Sequence, residues 1–288
     1  MKLEDRVVAC IETRQIAAEL IGQLLKDFKV GSEIKLRDII QDTLASQRDI
    51  LEDGWYSPPP AGIGVLFGLS NDTNRTRFPS FRQESYWPSS KYILEKETVG
   101  TVYVSPVHSN GAIGDLGFSF YRGIDKNTRD HLKNCLEAIE DVADHASVGL
   151  QFRELYQFAQ KRFAERNITH KWITTKLNIS GNSIGHTVPW SYELPTADEY
   201  KIIKAGQMDE LKDVISHKRL YLDADETFVI PGTVAFTVES QLGSRLDSNL
   251  PNTFFHTIVT FNNGKKQVLA NFNSIFDKLK IDYMRSRF

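Results

Sequence analysis

The chain carries the same helical arrangement twice, and that repeat constrains its fold more than any single motif. A long helix is expected over about Glu4 to Lys26, because Val8, Ile11, Ala18, Ile21 and Leu25 recur at spacings of three, four or seven and so make one apolar face. Val30-Gly31 closes it, since glycine tolerates the left-handed conformation that ends a helix. A second helix follows over roughly Leu36 to Ala45, with Ile39, Ile40 and Leu44 turned inward. Later, Thr128 to about His145 carries Leu132, Cys135, Leu136, Ile139 and Val142 at helical spacing. Val148-Gly149 closes that helix, and Phe152 to Phe163 forms the next. Thr13-Arg14, Val30-Gly31 and Leu36-Arg37-Asp38-Ile39 thus recur as Thr128-Arg129, Val148-Gly149 and Phe152-Arg153-Glu154-Leu155.

Strands are expected after each helix pair. In the first half a Pro58-Pro59-Pro60 break leads into the apolar run Ile63 to Leu69, followed by Val99 to Ser105 and Asp115 to Phe120. In the second half the β-branched stretch Trp172 to Ser180 precedes Gly181-Asn182, and Thr227 to Glu239 and Phe254 to Thr260 follow. Asn263-Gly264 suits the turn before Gln267-Val268-Leu269. The period is too long for a solenoid. Two such halves, about 1–123 and 124–288, imply one α/β (α+β) domain over 1–288, with helices packed outside a continuous sheet.

Composition narrows the function classes. Of 288 residues, 41% are hydrophobic and 25% charged, with a net charge of -2. These are ordinary globular values, and they favour neither a nucleic-acid partner nor an anionic membrane surface. Cys10 and Cys135 are too few for a disulfide framework or zinc cluster, and both fall in helical apolar patterns expected to bury free thiols. The first residues lack the order of a signal peptide and no apolar run reaches membrane-spanning length. A cytoplasmic protein is expected.

Four local stretches carry a resemblance. Asp115-Leu116-Gly117-Phe118-Ser119-Phe120-Tyr121-Arg122-Gly123 runs into the helix from Thr128, and Gly181-Asn182-Ser183-Ile184-Gly185-His186 is glycine-rich. Ile230-Pro231-Gly232-Thr233-Val234-Ala235-Phe236-Thr237-Val238-Glu239 joins a proline-glycine turn to an apolar strand and a glutamate, and Val259 to Gly264 makes a closing strand and turn. Together with the duplicated layout, these resemble the pita-bread superfamily of methionine aminopeptidase, aminopeptidase P and creatinase over essentially the whole chain. The resemblance implies a pseudo-two-fold curved antiparallel sheet covered by helices. Family peptidases hold two divalent ions with two aspartates, one histidine and two glutamates, and the bridged water supplies a hydroxide nucleophile. Family members commonly dimerise, so a homodimer is an expectation of the resemblance, with no interface defined.

Against that pattern the ligand set looks dismantled. Asp115 stands for the second aspartate and Glu239 for the first glutamate. The first aspartate, eleven residues before Asp115, falls at Val104; the histidine falls at Asn182; the last glutamate falls at Phe255, beside His256. The supporting histidines fall on Ser85 and Pro189. A second register, with Asp115 as first aspartate and Asp125 as second, leaves too short a run before the helix and loses the match at Phe120 and Gly123. Two carboxylates leave little anionic charge to offset two divalent cations, so no cofactor is expected, with Asp115 and Glu239 the ligands if a single divalent ion binds.

The candidate catalytic residues are therefore Asp115, Glu239, His186 and His256. Each histidine also reads as a hydrogen-bonded structural or surface group, and His256, one residue from the ligand position, could face away on a strand. If both carboxyl groups share a cavity without metal, repulsion raises one pKa and yields an acid/base pair. Asn182, at the lost histidine position, and Tyr86 and Trp190, which with Trp87 flank the lost segments, are candidate substrate-binding residues; the alternative for the aromatics is that they fill space once held by metals and waters. The first functional expectation is a repurposed enzyme in the style of creatinase, hydrolysing, eliminating or isomerising an amino-acid-derived or peptide-like small molecule. The alternatives are a non-catalytic peptide- or protein-binding pseudopeptidase, and an aminopeptidase with one atypically held metal ion.

Overall fold

Side chains at the helix ends fix where the helices begin. The structure, a computed structural model, describes residues 2–69, 73–173, 177–178 and 180–288. α1 spans Leu3–Asp27 and α2 spans Glu33–Ala45, the latter starting where Ser32 accepts the Lys35 N–H. α3 (Thr73–Thr76) is one turn. α4 (Lys126–His145) starts where the Asp125 carboxylate accepts the Thr128 N–H, and α5 (Phe152–Glu165) follows. The four long helices lie within a few residues of the periodicity reading.

The strands are β1 (Ile63–Leu69), β2 (Thr98–Val104), β3 (Leu116–Tyr121), β4 (Ile168–His170), β5 (Val234–Ser244), β6 (Thr253–Asn262) and β7 (Lys265–Leu269). They form one seven-stranded antiparallel sheet in the order β1-β2-β3-β6-β5-β4, with β7 also paired to β6. That order is a mirror: three strands from each half meet where β3 abuts β6. The seam is narrow, with Gly117 opposite His256 as its recorded pair. A Cβ at Gly117 would lie 2.4 Å from the Phe254 ring, so only glycine lets the two half-sheets meet there.

Strand alternation divides the sheet into two faces. Val102, Val104, Leu116, Phe118, Phe236, Phe255 and Val259 join one hydrophobic cluster with Ala17, Ile21, Leu36, Leu132 and Leu155 of the helices. Tyr103, Phe254, Glu239 and His256 belong to the opposite face, where the cavity lies.

Three expectations are corrected. The strand expected over Trp172 to Ser180 falls partly on residues 174–176 and 179, outside the described residues, and the second half's first strand is β4, upstream. The strand expected from Thr227 begins only at Val234, because Val229 and Ile230 pair instead with the loop before α5. The helices α6 (Ala197–Ala205), α7 (Met208–His217) and α8 (Asn273–Leu279) had no counterpart in the periodicity reading. Both cysteines are free and buried. Among the described residues no helix is long and apolar enough to cross a membrane.

Candidate active site

The register places four residues in one row across the sheet. Tyr103 pairs with Gly117, Gly117 with His256, and His256 with Glu239, so β2, β3, β6 and β5 all contribute to the same face. Asp115 lies just before β3. Its Oδ1 accepts the Trp55 indole N–H at 2.7 Å, while its Oδ2 is buried without a hydrogen-bond partner among the described residues. His256 Nε2 lies 3.7 Å from Asp115 Oδ2 and 3.3 Å from Glu239 Oε2. Neither His256 ring nitrogen makes a hydrogen bond among the described residues. One imidazole therefore sits between two carboxyl groups contributed by the two halves.

His186 approaches from the other side of Glu239. Its segment runs along the part of β5 that precedes the β4 pairing, with Thr237 N–H donating to the His186 carbonyl at 2.8 Å and Glu239 N–H to that of Ile184 at 2.9 Å. Gly185 makes this possible: with φ at 152°, a Cβ there would sit 2.0 Å from the Thr237 carbonyl oxygen. His186 Nδ1 donates to the Thr187 carbonyl at 3.0 Å, which leaves the Nε2 lone pair facing Glu239 Oε1 at 3.5 Å. Thr237 Oγ1 donates to the same carboxyl oxygen at 3.4 Å.

Burial dominates the electrostatics. Asp115 is pushed up to about 8, chiefly by burial and also by Glu239, while the Trp55 hydrogen bond and the cations Arg219 and Arg14 oppose the shift. Burial raises Glu239 to about 7 against Arg219 and the Thr237 hydroxyl, and its side chain, 22% exposed, opens onto the cavity. Burial and Arg219 take His186 down to about 3. Burial, then Arg14 and His186, hold His256 well below the usual imidazole range. The imidazoles are thus neutral near pH 7, and the two carboxyl groups gain or lose protons there.

The seam beside these residues is stapled by Arg14, a wholly buried α1 residue. Its guanidinium donates to the carbonyls of Asp115, of His256 at 2.7 Å and of Ala270 at 2.7 Å. Arg14 therefore fixes the backbone of two site residues.

In front of Glu239 and His186 lies a cavity of about 110 Å³. Tyr56, Phe78, Phe81, Tyr103 and Phe254 wall it, and the charged groups Arg82, Lys171 and Arg219 line it with Glu239. A volume of that order suits a small molecule.

The site thus contains all four candidate catalytic residues, Asp115, Glu239, His186 and His256. His256 faces inward, and it is Phe255 that turns into the core. Val104 likewise faces the core, so Tyr103, whose ring centroid lies 6.1 Å from that of His256, takes the place on β2. The candidate substrate-binding residues lie elsewhere. Trp190 is fully buried in a second cluster with Val188 and Leu211. Tyr86 lies against Phe78 with the rings tilted by 49° and their centroids 6.4 Å apart, and Asn182 accepts from the Ser180 hydroxyl at 2.7 Å. None of the three lines the cavity. Asp125, the alternative second aspartate, is the α4 cap. Trp55, Tyr103, Arg14 and Arg219 are not among the site residues expected from sequence, because no motif marks them as such.

A dinuclear metal centre does not fit this donor set. The two carboxyl groups carry too little charge for two divalent ions, and one oxygen of Asp115 is already taken by Trp55. Among the described residues no group of three or more His, Cys, Asp or Glu side chains has an arrangement that could hold a metal ion.

Comparison with solved structures shows the same fold at low sequence identity. The methionine aminopeptidase from Rickettsia prowazekii matches with TM-score 0.63 and 12% identity, covering 93% of this chain and 97% of that one. The X-Pro aminopeptidase from Thermotoga maritima MSB8 matches with TM-score 0.61 and 13% identity over 94% of this chain and 62% of that one. The Xaa-Pro dipeptidase from Bacillus anthracis matches with TM-score 0.62 and 16% identity over 92% and 60% respectively. The chain therefore spans about three fifths of the length of those two enzymes. Comparison with curated proteins finds no match. The family model of Peptidase_M24 matches residues 12–212, well over half the chain. On that match and on its pita-bread fold, the protein belongs to metallopeptidase family M24.

Proposed function

We propose that this family member acts on a small amino-acid-derived or peptide-like molecule by proton transfer among its own carboxyl and imidazole groups, without the usual dinuclear metal site. The observation that carries this reading is the placement of His256 Nε2 between Asp115 and Glu239, 3.7 and 3.3 Å away. Glu239 opens onto the cavity and is the group that meets the substrate. With a pKa raised to about 7, it is well matched to take up or release a proton near neutrality. Asp115, wholly buried and raised to about 8, holds a proton behind it, and His256 lies between the two. Hydrolysis, elimination and isomerisation of an amino-acid derivative all use such a transfer, in the manner of the metal-independent creatinase branch of the superfamily.

The test is a product screen by mass spectrometry. Chelator-treated protein is incubated with dipeptides, N-acyl amino acids and amidino amino acids. Turnover insensitive to the chelator is expected, with a loss of about 10²-fold or more in Glu239→Gln. Turnover that appears only on adding manganese, cobalt or iron would favour an atypical metallopeptidase. Tight binding without turnover, unchanged in Glu239→Gln, would favour a binding module.

A further inference from the structure

Tyr103 shares the row of Gly117, His256 and Glu239 across the sheet, on the face that lines the cavity. Gly117, between Tyr103 and His256, carries no side chain, so the phenol ring lies against the imidazole across that gap, 6.1 Å from centroid to centroid. Tyr56 at 5.3 Å, Phe254 at 5.9 Å and Phe81 at 6.0 Å enclose its other sides. Rings packed this closely leave the phenol little freedom to turn away.

A buried phenol usually finds a hydrogen-bond partner, as Tyr121 does on Glu97, Tyr192 on the Lys218 carbonyl and Tyr283 on the Tyr121 carbonyl. Tyr103 is only 4% exposed, yet its hydroxyl makes no hydrogen bond among the described residues. It is not sealed behind protein, because Tyr103 lines the same cavity as Glu239. An unanswered O–H costs free energy in the folded state, and an acceptor brought by the occupant of the cavity would answer it. Burial, then Asp115, Glu239 and Tyr56, hold the hydroxyl well above the usual phenol range against Arg219. It therefore stays protonated and offers a donor, not a base.

We infer that Tyr103 is a catalytic residue, whose hydroxyl donates a hydrogen bond to the carbonyl oxygen of the substrate, where negative charge develops while Glu239 exchanges its proton. Hydrolysis gathers that charge in a tetrahedral intermediate, and elimination or isomerisation beside a carbonyl gathers it in an enolate. A fixed donor in a site shielded from water stabilises either one. No bond to Tyr103 forms or breaks: the phenol keeps its proton, and the proton that moves is carried by Glu239. The phenol thus polarises the oxygen as a bound metal ion does elsewhere, but without adding charge. This inference rests on the proton-transfer reading of the cavity and gives Glu239 an electrophilic partner.

The test pairs a binding probe with kinetics. 3,4-Dinitrophenolate, an oxyanion at neutral pH, is titrated into the full chain beside its uncharged analogue 3,4-dinitrotoluene. The phenolate is expected to bind at least about tenfold more tightly. Tyr103→Phe should remove most of that preference at an unchanged melting temperature, because the hydroxyl it deletes has no partner in the fold. For a compound turned over in the product screen, the same variant should lower kcat about 10²-fold with KM changed less than about threefold, whereas the loss of a mere wall contact would raise KM. No binding of the phenolate, a preference unchanged in Tyr103→Phe, or an undiminished kcat would each overturn the inference. Turnover kept in Tyr103→Phe but lost in Glu239→Gln removes this inference alone. Turnover that needs added metal removes the proton-transfer reading instead, and the phenolate titration then judges the Tyr103 donor by itself.

Discussion

Glu239 and His256 stand directly opposite one another on β5 and β6, and their Oε2 and Nε2 atoms approach to 3.3 Å. Cross-strand partners on one face of an antiparallel pair are held at close range by the backbone alone. The carboxyl–imidazole contact is therefore built into the sheet register and needs no loop to close over it. Asp115 is added from the neighbouring half-sheet, through the same imidazole.

The pH dependence of stability follows from Asp115. Its folded pKa is raised from 3.8 to about 8, so the folded state binds the proton more tightly than the unfolded chain. Its contribution is fully present below pH 3.8 and is lost as pH rises through about 8. Asp115→Asn, which keeps an acceptor for Trp55, is expected to flatten the decline in melting temperature between pH 5 and 9. An undiminished decline in the variant would place the titration elsewhere.

Trp55 holds Asp115 from behind. Trp55→Phe removes the indole donor and leaves Asp115 Oδ1 buried without a partner, at an expected cost of about 1–3 kcal/mol in urea unfolding. The same change should raise the Asp115 pKa further, because the lost hydrogen bond opposes its upward shift. A stability loss well below that range would show that water or a neighbouring side chain replaces the indole.

Arg14 holds the seam. Arg14→Met leaves three buried carbonyls, those of Asp115, His256 and Ala270, without their charged donor, and a loss of at least about 3 kcal/mol is expected. Arg14→Lys should recover little, since an ammonium lacks the planar fork that reaches several carbonyls at once. Denaturant curves for both variants check this, and a well-tolerated lysine would contradict it.

A buried ion pair pins the first half-sheet. Glu33 bonds to Arg75, and its carboxylate also accepts the N–H groups of Phe67 at 2.6 Å and Ser89 at 3.0 Å. Arg75→Met alone should cost about 3–5 kcal/mol, because it strands a buried carboxylate. Burial already pushes Glu33 up to about 7, so the loss should shrink at pH 5, where an unpaired Glu33 is protonated. A loss equal at pH 5 and pH 8 would argue against a charge effect.

The repeat was legible because helical periodicity is local. α1, α2, α4 and α5 follow from the spacing of apolar residues, and β1 from a single apolar run. The site was legible only in part, because it depends on strand register, which sequence does not fix. Placing a ligand at Phe255 and not at His256 is a one-residue slip, and such a slip exchanges the core face for the cavity face. The same slip hid Tyr103 behind Val104. Arg14 lies 101 residues from Asp115 and 242 from His256, so no short motif could join them. Trp190 attracted notice by its position beside Pro189, but its indole is directed by Glu199 into a separate cluster.

The central claim is that the Asp115–His256–Glu239 group serves proton transfer in place of a dinuclear metal centre. Metal content of the protein, grown with manganese, iron, cobalt and zinc and purified without chelator, tests it most directly by mass spectrometry. Well under one ion per chain is expected, unchanged in Asp115→Asn. Two ions per chain, lost together in that variant, would contradict it.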